Sequence, residues 1–283
     1  MLVIVIICLV TLADPSFQID GGINATFGQF PCIASLQRIG CYGSPITLHE
    51  CSATIISPNY VLTAAHCVNK QDGQYPILKV VTGLLDIRGG DETYRQEAGI
   101  EKIIIHPDYK TTYEQFGYMA PNDIAIVKLN ASLRFDNATN SVKLPRKDEE
   151  LAEKEDVQFV GWGLQVCFEK TEARLQTIEY NVLSYNTCYN AVLDVFSGIE
   201  KLVLLDKNVS LCTGPINRGA KVNVDGDSGG PLLLNGTAYG IHSWIFVYYN
   251  QTPSFRIPGP SGIYVKLSKY ISWIKENVDD FLE

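Results

Sequence analysis

Gly226-Asp227-Ser228-Gly229-Gly230-Pro231 is the stretch on which the reading of this chain turns. A serine hydroxyl alone is a poor nucleophile at neutral pH. Ser228 needs a neutral imidazole within hydrogen-bond reach to take its proton, and that imidazole needs a buried carboxylate to fix its tautomer. Two further segments supply both groups: Thr63-Ala64-Ala65-His66-Cys67 and Asn122-Asp123-Ile124-Ala125-Ile126-Val127. His66, Asp123 and Ser228 thus occur in the order His, Asp, Ser, one of the unrelated chain orders in which this constellation arises.

Around these segments, short β-branched and aromatic runs recur between turn signals. They are 53–56, 60–63, 77–82, 99–105, 124–129, 157–160, 231–234 and 263–267. Such spacing predicts an all-β sandwich or barrel. One amphipathic helix is expected, at the C-terminus, with Ser268 as N-cap and Tyr270, Ile271, Ile274 and Val278 at helical spacing. Complete Ala-Ala-His-Cys and Gly-Asp-Ser-Gly-Gly-Pro motifs in this order resemble the secreted chymotrypsin/trypsin-like serine proteases. That resemblance covers about residues 19–283. It implies two six-stranded antiparallel β-barrels with a C-terminal helix and the active site in the crevice between them, the changeover falling near 137–148.

Composition agrees with such a chain. The 283 residues, 46% of them hydrophobic, are enough to bury a sizeable core. Residues 1–13 form an apolar run read as a signal peptide cut after Ala13, and 14–18 as a short propeptide. No later apolar stretch reaches spanning length, so a secreted, extracellular product without a membrane segment is expected. Asn-x-Ser/Thr sequons at Asn24, Asn130, Asn137, Asn208, Asn235 and Asn250 suit a glycosylated extracellular chain. The net charge of −8 argues against a nucleic-acid surface, which needs clustered Lys and Arg. The acidic stretch 148–156 reads as a solvated connection.

By resemblance, the backbone N–H groups of Gly226 and Ser228 form the oxyanion hole. Asp227 pairs with the α-amino group released when the chain is cut before Ile19, where Ile19-Asp20-Gly21-Gly22 resembles the family's Ile-Val-Gly-Gly start. Gln18 precedes that cut, so an activator other than a trypsin-like enzyme is expected. His49, His106 and His242 read as structural, with no metal-site spacing around them, and Leu84 and Arg95 stand where the family's calcium loop needs oxygen ligands. No cofactor is implied.

Eight cysteines include Cys8 in the leader, which leaves seven, so at least one thiol has no intrachain partner. Resemblance implies Cys51 with Cys67 and Cys188 with Cys212. Of Cys32, Cys41 and Cys167, the pairing Cys41 with Cys167 is preferred and Cys32 with Cys41 stays open. The family's cysteine four residues before the nucleophile is replaced by Val224.

The specificity pocket is expected from Val222, Asn223, Ser243, Trp244, Ile245 and Gly262. Val222 stands where trypsins carry an aspartate, so a Lys or Arg side chain would be buried unpaired, at a cost of several kcal/mol. Ile245 replaces a glycine at the pocket mouth. The pattern points either to an elastase-like preference for small apolar residues or to a blocked pocket. The reading is a secreted serine endopeptidase acting on proteins or peptides, with serpins or small protein inhibitors as partners. Its competitors are a protease-like binding protein with an occluded cleft and an ester hydrolase. The hydrolase elbow Gly-x-Ser-x-Gly is matched at Gly226, but Gly229 directly after the serine and the upstream His-then-Asp order fit the protease.

Overall fold

In the computed structural model, residues 22–39, 47–69, 77–87, 89, 92–110, 121–163, 174–195, 205–215, 226–244 and 261–281 are described. The described strands build two antiparallel barrels. The first is closed from β2 (Ile33–Ile39), β3 (Thr47–Ile55), β4 (Tyr60–Thr63), β5 (Ile77–Thr82), β6 (Gln96–Ile105) and β7 (Ala125–Leu129), in the order β2-β3-β4-β7-β6-β5, with β5 pairing back onto β2. Segment 130–155 leads to the second.

There β8 (Asp156–Gly161), β9 (Gln176–Val182), β10 (Ser210–Pro215), β11 (Pro231–Leu234), β12 (Thr237–Trp244) and β13 (Gly262–Lys266) run β9-β10-β13-β12-β11-β8, and the β8–β9 pairing closes the ring. A two-residue strand, β1 (Ile23–Asn24), adds to the end of β9.

The period of two along β7 shows how the barrels join. Ala125 and Val127 face the interior of the first barrel, with Leu36, Ile55, Val61 and Val80. Ile124 and Ile126 face the other way, into a shared core with Leu62, Val160, Trp162, Leu233, Ile241 and Val265. A strand buried on both faces must be apolar at every position, as 124–127 is. The second barrel has its own core of Val157, Phe159, Ile178, Tyr180, Leu232 and Tyr264. Burying each such side chain contributes about 1.5–3 kcal/mol, so the interface is a packed core and not a hinge.

Two sequence expectations are corrected. The terminal helix α2 (Ile271–Asn277) is capped at Tyr270 without a side-chain hydrogen bond, because Ser268 lies inside the preceding 3-10 turn, its hydroxyl buried without a partner. Nor is that helix alone: α1 (Tyr185–Val195) precedes β10, and the Ser184 hydroxyl accepts the Thr187 N–H at its start. Ser184 was the available signal, an N-cap residue ahead of the helix.

Cys188 on α1 is joined to Cys212 on β10, and Cys51 on β3 to Cys67, the two disulfides among the described residues. Cys32 is unpaired and buried in the shared core, where burial pushes its thiol up to about 12, so pairing with Cys41 is removed. Cys41 and Cys167 lie outside the described residues.

Candidate active site

His66 sits on a single 3-10 turn, Ala65–Cys67, directly after β4, and the Cys51–Cys67 bridge ties that turn to β3. Asp123 lies just before β7, on the adjacent strand of the same barrel. Asn122, before it, has a positive φ of 57°, and its side chain accepts a hydrogen bond from the Tyr270 hydroxyl at 2.8 Å. The kink turns Asp123 inward, where it is fully buried.

Its carboxylate is held by three donors: the His66 backbone N–H on Oδ1 (2.9 Å), the His66 ring Nδ1 on Oδ2 (2.7 Å) and the Ser243 hydroxyl on Oδ2 (2.5 Å). Burial alone would raise its pKa. The charge of His66 and these hydrogen bonds outweigh it and hold the carboxyl below its usual range. A carboxylate on Nδ1 places the ring proton there and leaves Nε2 as the basic nitrogen. The His66 side chain is partly exposed, at 21%.

The hexapeptide turn comes from the second barrel and is clamped from both. From β3, the Ser52 N–H donates to the Ser228 carbonyl (2.8 Å), the Ser52 hydroxyl to the Gly226 carbonyl (3.2 Å) and the Thr54 hydroxyl to the Gly229 carbonyl (3.1 Å). From β12, the His242 carbonyl accepts the Gly229 N–H at 2.8 Å. Gly229 has φ +87°, and a Cβ on it would lie 2.1 Å from the Ser52 carbonyl oxygen. Only glycine permits that conformation and that approach. Ser228, inside the turn, stays part-exposed.

His49 adds a buried brace. Its Nε2–H donates to the Gly226 carbonyl (3.0 Å) while Nδ1 accepts from the Ser35 hydroxyl (2.9 Å). Burial drives its pKa down to about 4, so it is neutral, as this bonding requires. Nothing in the sequence set His49 apart except its place near Cys51. His106 packs edge-on against Tyr270 and Trp273, a structural placement.

Asp227 is buried, and its Oδ1 accepts the Gly163 N–H at 3.0 Å. Gly161 admits it, since a Cβ there would stand 2.2 Å from Oδ1. Ile19 lies outside the described residues, as do Val222, Asn223, Ile245 and Asn250. Of the expected pocket residues that are described, Ser243 turns its hydroxyl to Asp123, Trp244 is part-exposed, and Gly262 is buried on β13.

Asn24, Asn130, Asn137, Asn208 and Asn235 are all exposed. One group of His, Cys and acidic side chains among the described residues brings its ligand atoms within 4.8 Å of one another, Cys51, His66 and Cys67. The disulfide consumes both of its sulfurs, so the group offers no thiolate to a metal. No described helix is long and apolar enough to cross a membrane.

The buried carboxylate and the histidine bonded to it belong to the first barrel, and the serine lies on a turn of the second barrel that both barrels clamp. Comparisons with known proteins agree with that geometry. A family model described as Trypsin matches residues 19–274. Trypsin-1 of Astacus astacus is 32% identical over 267 residues, covering 92% of this chain and 99% of that protein. The human chymotrypsin-like elastase family member 1 is 28% identical over 273 residues, covering 93% of each. Among solved structures, human heparin binding protein superposes with a TM-score of 0.68 at 21% identity, over 92% of this chain and 96% of that one, a likeness of fold. With the family model spanning nearly the whole chain and both barrels closed, this protein belongs to the trypsin family of chymotrypsin-fold serine proteases.

Proposed function

We propose that the protein is an active serine endopeptidase, secreted and acting on proteins or peptides. The observation that carries the proposal is the fully buried Asp123 carboxylate bonded to the ring of His66, with the Ser228 turn fixed opposite by both barrels. Ser228 attacks the scissile carbonyl as His66 Nε2 takes its proton. Asp123 holds the imidazole and stabilises its charged form, and the Gly226 and Ser228 N–H groups receive the oxyanion. His66 then protonates the leaving amine, and water releases the acyl group by the same route in reverse.

Removal of residues 1–13 and a cut before Ile19 produce the working chain, with Asp227 receiving the new α-amino group. Val222 and Ile245 set the acceptance of small apolar residues over Lys, Arg or large aromatics on the acyl side of the cleaved bond. Serpins and small protein inhibitors are the expected partners.

The test is a fluorophosphonate probe on the native secreted protein, read by intact mass and by the modified peptide. Stoichiometric labelling of Ser228 on a chain beginning at Ile19 supports the proposal. Absence of labelling on that same chain sinks it and leaves the binding-only homologue.

A further inference from the structure

The donors on the Asp123 carboxylate come from His66 and Ser243 and hold the side chain, not the backbone beneath it. That backbone is set one residue earlier. Asn122 has φ +57°, a left-handed conformation that a residue other than glycine keeps only where its surroundings fix it. The Asn122 carbonyl accepts the Ile124 N–H at 2.8 Å, a three-residue turn with Asp123 at its centre. Extended structure resumes at Ile124, whose carbonyl accepts the His106 N–H at 3.1 Å.

Two contacts hold the Asn122 side chain. Its Nδ2–H donates to the Asp108 carbonyl at 3.2 Å, and its Oδ1 accepts the Tyr270 hydroxyl at 2.8 Å from 148 positions away. Asp108 is exposed, and its N–H donates to His106 Nδ1 at 3.3 Å. Tyr270 is the firmer anchor. It is 3% exposed and packs in the core shared by the barrels with Ile124, Ile126 and Ile274, with the His106 ring edge-on at 5.1 Å. Its backbone is fixed as well, because its N–H donates to the Leu267 carbonyl at 2.9 Å and its carbonyl accepts the Ile274 N–H at 2.8 Å, at the junction of the 3-10 turn and α2.

We propose that Tyr270 is a positioning residue for the orienting carboxylate: through Asn122 it fixes the left-handed kink that sets Asp123 against His66 Nδ1. The inference rests on the peptidase reading above. Without the hydroxyl, the ring keeps its packing while residue 122 relaxes towards an ordinary φ and carries Asp123 away from His66. A misplacement of about 1 Å costs on the order of 100-fold in rate, and a partial relaxation with the Asp108 contact retained costs about tenfold. A more distant carboxylate also stabilises the protonated imidazole less, so the pKa of His66 falls.

The experiment measures the rate at which a fluorophosphonate labels Ser228 in the native secreted protein, from about pH 5 to about pH 9, a range that spans histidine titration. The variants are Tyr270→Phe, Asn122→Gly, the two combined, and Tyr60→Phe as control. Tyr60 is also 3% exposed in the shared core, and its hydroxyl donates to Asp279 Oδ2 at 3.0 Å. In Tyr270→Phe the labelling rate is expected to fall about tenfold and its pH midpoint to move down. Asn122→Gly keeps the left-handed backbone without the tether and is expected to lose at least as much, with no further loss when Tyr270→Phe is added. Tyr60→Phe is expected to label at the wild-type rate.

A wild-type rate and midpoint in Tyr270→Phe overturn the proposal and leave the peptidase reading standing. So does an equal loss in Tyr60→Phe, or a full second loss when Tyr270→Phe is added to Asn122→Gly. Should Tyr270→Phe not fold, Asn122→Gly decides: a loss of about tenfold or more supports the proposal and a wild-type rate overturns it. Wild type that does not label removes the peptidase reading and this proposal together.

Discussion

Replacing Ser243 by alanine removes the hydroxyl that stands 2.5 Å from Asp123 Oδ2 and touches neither His66 contact. Asp123 is fully buried, so water does not replace the lost donor. A hydrogen bond to a charged group contributes about 1.5–3 kcal/mol, which sets the expected loss of stability at pH 7 at about 2 kcal/mol. For a chain of this size that is a fall in Tm of roughly 4–8 °C.

The two His66 contacts survive in the variant, so the imidazole keeps its tautomer. The expected fall in kcat/KM is about tenfold, against roughly 10⁴-fold for Asp123→Asn, which presents the wrong partner to Nδ1. Urea denaturation and active-site-titrated kinetics on Ser243→Ala, Asp123→Asn and the double variant test the argument. With the charge gone in Asp123→Asn, removing the hydroxyl should cost about 1 kcal/mol or less. If Ser243→Ala costs the same in both backgrounds, or under about 0.5 kcal/mol in the wild type, the hydroxyl does not hold the carboxylate and the reasoning fails.

Gly229→Ala forces a Cβ to 2.1 Å from a β3 carbonyl and 2.3 Å from the Thr63 hydroxyl at φ +87°; we expect a loss of at least about 3 kcal/mol and of Ser228 labelling, and a near-wild-type urea midpoint would refute it. For pH, His49 is held near 4 in the fold by burial against about 6.5 unfolded, so the unfolded chain binds the proton first. This contribution is full above pH 6.5 and is lost as pH falls to 4, by about 3 kcal/mol, with His242 extending the loss towards pH 3. Urea midpoints unchanged between pH 7 and pH 4.5 would contradict it.

Strands with clean apolar patterning were legible in sequence, because burial on both faces leaves 124–127 uniformly apolar. Others were hidden by local signals that tertiary pairing overrides. β10 ends in Gly214 and Pro215, residue types depleted in strands, yet they pair with Asn181 and Tyr180 of β9. In β2 the register shifts between Leu36 and Gln37 and again between Gln37 and Arg38, which breaks the alternation. Helix α1 carries Asn, Thr and Cys in place of strong helix formers, and its bridge to Cys212 and packing beside β10 hold it.

The sequence alone determined which residue types could perform acyl transfer and in what order they come, because a nucleophile, a base and an orienting acid are chemical requirements written residue by residue. The pairings Cys51 with Cys67 and Cys188 with Cys212 came from resemblance, and the structure contains both bridges. Only the tertiary structure decided what those residues touch. That Ser243 serves Asp123, that β3 and His49 brace the nucleophile turn, and that His242 is buried with both nitrogens unused are facts of packing between segments up to 177 positions apart. Local propensity carries no information about such contacts, since they exist only once two barrels have closed and their shared core has fixed one against the other.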